Sequence, residues 1–147
     1  MSEEIVNVCI EVAEAEFDRI AKYYRIQTNE EKIDAKQLDS YKDAKQEIVE
    51  AIQDGAIYVN EDGAPVYVSE CEQDFTFRKL IGTDFVRLDK YDESQGMHKG
   101  QATVASLTKK APREIAALDA DDWQFMVRVA SFLLLSKKRR SRKARRS

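Results

Sequence analysis

The sequence predicts a mostly helical α+β fold: an N-terminal helical hairpin, a small β-hairpin or three-stranded meander in the middle, and C-terminal helices ending in a hydrophobic central helix. Three observations carry this reading. Apolar residues recur at helical spacing through the first 55 positions. At Ala56 that spacing gives way to alternation around Asn60-Glu61-Asp62-Gly63. The stretch 119–136, DADDWQFMVRVASFLLLS, is apolar nearly all round.

The first helix is expected from Ser2 to about Ile26, with Ile5, Cys9, Val12, Ala13, Phe17, Ile20, Ala21 and Tyr24 at three- and four-residue steps. Thr28-Asn29-Glu30-Glu31 has the form of a capping box, in which a Thr hydroxyl and a Glu carboxylate each satisfy a backbone N–H of the first turn. Asp34 is the competing start for the second helix, with 28–33 then a linker. That helix carries Ile33, Leu38, Tyr41, Ala44, Ile48 and Ile52 and stops at Asp54-Gly55, where glycine suits a left-handed terminus. Residues 1–55 thus read as a helical hairpin.

Ile57-Tyr58-Val59 and Pro65-Val66-Tyr67-Val68 flank the Asn60–Gly63 turn, in which Gly63 supplies the positive φ. Pro65 lacks a ladder donor, which puts it at a sheet edge or at the start of its strand. Phe75-Thr76-Phe77 alternates and offers a third strand. Thr83 is placed to cap a helix carrying Phe85, Leu88 and Tyr91, and 93–96 reads as a loop. A helix from Met97 to Thr108 buries Val104 and Leu107, and Pro112 opens a short helix ending near Leu118.

Asp119 is positioned to N-cap the final helix, and Asp121 and Asp122 put negative charge where the helix dipole favours it. Trp123, Met126, Val127, Ala130 and Leu134 form one stripe, with Trp123 read as a core anchor; Phe125, Val129 and Phe132 form a second. Only Asp121, Gln124, Arg128 and Ser131 remain as a narrow polar seam. The helix must therefore be buried nearly all round, by its own chain or by a partner. The partner-binding candidates are Phe125, Val129 and Phe132, against the alternative that the N-terminal helices cover them. Residues 56–136 read as a β-hairpin plus helical region that forms one compact domain with 1–55. The helix is too short for a bilayer span, which needs about 20 predominantly apolar residues.

The 147 residues carry a net charge of −3, but the last eleven, KKRRSRKARRS, hold eight of the 24 basic side chains and no acid. The rest is strongly acidic. The tail, with Lys137, Lys138, Arg139, Arg140, Arg142, Lys143, Arg145 and Arg146, is expected to be disordered. It reads either as a polyanion contact, through counterion release from a phosphate backbone, or as a solvating end. No aromatic residue is interleaved for base stacking.

No catalytic set emerges. His98 is the only histidine, and Cys9 and Cys71 have no ligand spacing, so no metal, cofactor or small-molecule substrate is implied. Cys9 belongs to the apolar stripe of the first helix and is expected in the core, His98 at the surface. The five glycines read as turn and cap residues rather than a phosphate loop. Two lone cysteines and an acidic N-terminus favour a reduced cytoplasmic protein.

Residues 75–136 resemble the tail assembly chaperones of long-tailed bacteriophages and prophages. The resemblance rests on Phe75-Thr76-Phe77-Arg78, Gly82-Thr83-Asp84-Phe85, Ala105-Ser106-Leu107-Thr108, Pro112-Arg113-Glu114-Ile115 and Leu118-Asp119-Ala120-Asp121-Asp122 in that order before a hydrophobic helix. Ile81 stands where the family has proline, and the first 55 residues lie outside the pattern. The resemblance implies a non-enzymatic protein of the host cytoplasm that binds the tape measure protein during tail assembly, with tail tube subunits as a further candidate partner. An oligomer of identical chains is compatible with it. The competing function is a nucleic-acid-associated accessory protein acting through the basic tail.

Overall fold

A computed structural model describes residues 8–79 and 96–135. Among these residues the chain is mostly helical, with five α-helices and a small antiparallel sheet between the second and third, which is the α+β class its spacing predicts. The expected helix over 83–91 and the basic tail lie outside the described residues.

Helix α1 spans Ile10–Tyr24 and buries Ala13, Phe17, Ile20, Ala21 and Tyr24, the central and later members of the predicted stripe. It does not run through Cys9, whose backbone is extended. The Val8 N–H instead donates to the Gln53 carbonyl at 3.2 Å, so the incoming chain pairs with the end of the second helix. Cys9 and Val12, expected in the apolar stripe, are exposed, and Val12 is 50% accessible. At the other end Arg25 adopts a left-handed conformation that stops α1 before Ile26.

The Thr28 capping box does not form. Asn29 caps a single 3₁₀ turn, Glu30–Lys32, its side chain accepting from the Glu31 N–H at 3.0 Å. Asp34 then caps α2 (Ala35–Asp54), accepting from the Lys36 N–H at 3.1 Å, and Gly55 closes it at φ 87°. Asn29, a better capping residue than threonine, takes the N-terminal role one residue along, and a second cap at Asp34 divides 28–54 into a turn and a helix. Val8 meets Gln53 while Lys45 lies over the Phe17 ring, so α1 and α2 are antiparallel.

Strands β1 (Ile57–Val59), β2 (Pro65–Val68) and β3 (Asp74–Thr76) form an antiparallel meander with β2 in the centre. Ile57 pairs with Tyr67, and Tyr67 with Phe75. Pro65 is the first residue of the central strand, where its carbonyl still accepts from Phe77 N–H at 2.9 Å. In the hairpin loop, the Asn60 side chain accepts from the Asp62 and Ala64 N–H groups at 3.0 Å each. Gly63 has φ 97°, and a Cβ there would lie 3.2 Å from the Arg19 carbonyl and 3.3 Å from Tyr23 Cβ. Only glycine lets this loop lie against α1.

Helices α3 (Gly96–Thr108), α4 (Pro112–Ala116) and α5 (Ala120–Leu135) complete the described chain. Val104 and Leu107 of α3 are fully buried, as expected. Gly100 is neither turn nor cap: it lies inside α3, where a Cβ would come within 3.1 Å of Val127. Asp119 caps α5, accepting from the Asp121 N–H at 3.0 Å.

One hydrophobic cluster joins α1 and α2, the sheet, and α3 to α5. Helix α5 is its axis, with Asp121, Gln124, Arg128 and Ser131 exposed along the predicted polar seam. The deepest direction falls between the two stripes read from the sequence: Met126, Val129, Ala130 and Leu133 are each at most 4% exposed. Trp123 packs on the flank of this cluster and is only half-buried, so it is not the centre of the core.

Candidate functional site: a groove between α2 and α5

Helices α2 and α5 also run antiparallel. The Arg128 guanidinium grips Glu47 through Nε at 3.3 Å and Nη2 at 3.0 Å, while one turn further along α5 the Phe132 ring packs on Tyr41, centroids 5.8 Å apart. Beside this seam a groove of about 810 Å³ opens between the N-terminal half of α2, the C-terminal half of α5 and the 27–34 segment. Its floor is largely apolar, built from Ile33, Tyr41, Ala44, Val127 and Phe132. Its rim is polar, with Gln37, Ser40 and Asp43 on α2 facing Arg128 and Ser131 on α5. The same polar seam that wets α5 therefore forms one wall of the groove.

The floor holds one polar anomaly. Tyr41 is 4% exposed, and its hydroxyl has no hydrogen-bond partner among the described residues. Burial, and then the nearby Glu30 and Asp18 carboxylates, push its ionisation above the ordinary tyrosine value. It is a neutral donor within the groove floor.

The three partner-binding candidates are not brought together on a free face. Val129 is 4% exposed within the core. Phe132 is 6% exposed, packed between Phe17 of α1 and Tyr41 of α2, and borders the groove only by its edge. Phe125 lies on the opposite side, against Tyr67 of β2, with Arg128 over its ring at 5.7 Å. The stripe is covered by its own chain, from α1 and α2 at one end and from the sheet at the other. The eight basic tail residues, Lys137 to Arg146, lie outside the described residues.

Sequence reasoning missed Asp122. Its neighbour Asp121 is exposed, but Asp122 is 3% exposed and accepts from the Tyr67 hydroxyl with one oxygen and from the Glu70 N–H at 3.2 Å with the other. Burial, and then this hydrogen bond and charge, raise the Tyr67 ionisation. With both oxygens engaged, the carboxylate fastens α5 to the end of β2. The only available signal was Tyr67 at an inward-facing strand position, a polar-tipped residue in need of an acceptor.

His98 is exposed on α3, and Cys9 and Cys71 are exposed free thiols; Cys9 is thus outside the core that its helical spacing had predicted. Among the described residues no three His, Cys, Asp or Glu side chains gather in a metal-binding group, and no helix is long and apolar enough to cross a membrane. Comparison with known protein families, curated proteins and solved structures finds no match for this chain.

Proposed function

We propose that this protein is an assembly chaperone of the long-tailed phage kind, which holds a helical segment of the tape measure protein while the tail is built around it. The observation that supports this reading best is the α2–α5 groove, with an apolar floor and a polar rim along two antiparallel helices. Helix-in-groove recognition needs that combination: apolar area to cover an amphipathic helix, and polar edges to keep the empty groove wetted. The order of motifs from Phe75 to Asp122 is the second support. The docking surface is thus the groove beside Phe132, rather than the stripe Phe125–Val129–Phe132 as a whole.

Co-expression in the bacterial cytoplasm tests it. The tape measure protein should be retained in the soluble fraction and co-elute with this chain, and tail tube subunits are the next partner to assay. A tape measure protein that precipitates equally with and without this chain refutes the reading. The eight cations of 137–147 favour a second reading, an accessory protein that contacts nucleic acid. Salt-dependent duplex binding lost on removal of 137–147, with no tape measure complex, would establish that reading instead.

A further inference from the structure

The two walls of the groove differ in charge. On the α2 side the polar lining positions are Asp34, its N-cap, and Gln37, Ser40, Asp43 and Glu47, at steps of three and four that keep them on one side of the helix. None is basic. Of the three lysines of α2, Lys42 reaches Glu30 at 3.7 Å, Lys45 lies over the Phe17 ring, and Lys36 is exposed outside the lining of the groove. Arg128 neutralises Glu47 across the groove, and Lys32 stands at the 27–34 end. Asp34 uses Oδ1 to cap α2. Asp43 is left as an exposed carboxylate midway along the wall, with the Ser131 side of α5 uncharged opposite it.

We propose that the groove selects a basic amphipathic helix, one that lays an apolar stripe on the half-buried Ile33, Ala44 and Val127 and turns lysine or arginine toward Asp43. This rests on the chaperone reading and specifies the class of segment bound. The α2 wall from Asp34 to Glu47 rises about 20 Å, which matches about four turns of a partner helix. Charge complementarity alone would also suit the chain's own basic tail. That tail has only Ala144 as an apolar side chain, so it leaves the floor uncovered.

Fluorescence anisotropy with the full chain tests the proposal. Two labelled helical peptides of about 15 residues, sized to four turns, carry the same leucine stripe, one flanked by lysines and the other by glutamates. The lysine peptide should bind about fivefold to tenfold tighter, a gap that shrinks at high salt. Asp43→Lys should reverse the preference, and Ser131→Arg should weaken both peptides; both positions are exposed, and circular dichroism verifies that each variant folds. Equal binding of the two peptides, or a glutamate preference, overturns the proposal. So does a tenfold or greater gain in lysine-peptide affinity on removal of 137–147, which would make the tail the occupant. Loss of self-association in Ser131→Arg with no peptide bound would make it a second copy, and also overturns it. If the lysine peptide binds as described but no tape measure complex forms, the charge rule stands and the chaperone reading falls; a tape measure complex indifferent to Ser131→Arg and Asp43→Lys has the opposite meaning.

Discussion

The Tyr67 hydroxyl donates to the Asp122 carboxylate across 55 residues of sequence, in the buried seam where the central strand meets α5. Asp122 also accepts from the Glu70 N–H, so one side chain holds strand, turn and helix in register.

Asp122→Ala is expected to destabilise the fold by about 1–3 kcal/mol, because it leaves a buried hydroxyl and a backbone N–H without their acceptor. Asp121→Ala, one residue away but exposed, should stay within about 0.5 kcal/mol. Urea denaturation of the two variants makes the comparison. Equal midpoints would mean that the Tyr67 contact contributes nothing.

The core direction of α5 predicts an order among its truncations. Leu133→Ala and Met126→Ala, at fully buried positions, should cost about 2–5 kcal/mol each. Trp123→Ala should cost less than either, despite the larger side chain removed, because Trp123 sits half-exposed on the flank. Melting curves with Trp123→Ala as the worst of the three would reverse the assignment.

Two glycines with positive φ separate backbone strain from steric contact. At Gly55 a Cβ meets nothing within 4 Å, so Gly55→Ala should cost only the strain of a left-handed residue, about 1 kcal/mol. Gly63→Ala adds collision with the Arg19 carbonyl and Tyr23, and should lower stability further by about 1 kcal/mol or more. Chemical denaturation of the two variants reads the difference directly.

Stability should fall in alkali. Burial raises the ionisation of Tyr24 and Tyr41, as it does for Tyr67, above the ordinary value of about 10. The folded state therefore keeps these phenols neutral where the unfolded chain would ionise them. Their contribution is complete below about pH 10 and is lost as pH rises through the folded-state values. Melting temperatures between about pH 8 and pH 11 should decline in the upper part of that range, with phenolate absorbance from these residues appearing only on unfolding. A flat profile contradicts this.

Tyr41→Phe removes a buried hydroxyl that has no partner among the described residues. It is expected to leave stability unchanged or raise it by up to about 1 kcal/mol. A loss of more than that would reveal an acceptor for Tyr41 in the remainder of the chain.

What the sequence determined by itself is what short-range chemistry controls. Asp34, Asp119, Gly55 and Gly63 set ends and turns through hydrogen bonds and φ values within a few residues of themselves, and each acts where its position predicts. The polar seam Asp121–Gln124–Arg128–Ser131 likewise follows from the helical repeat alone. The start of α1 departs from its helical spacing because Val8 pairs with Gln53, a choice made by a distant residue. Tertiary structure also decided which apolar direction of α5 lies deepest, since two stripes of similar hydropathy are separable only by what packs on them. It decided that Asp122, and not Asp121, is buried, because its acceptors are matched by Tyr67 and Glu70 across the sheet. The groove belongs to the same class: its floor and rim come from segments some ninety residues apart, and no local pattern in either helix records the space between them.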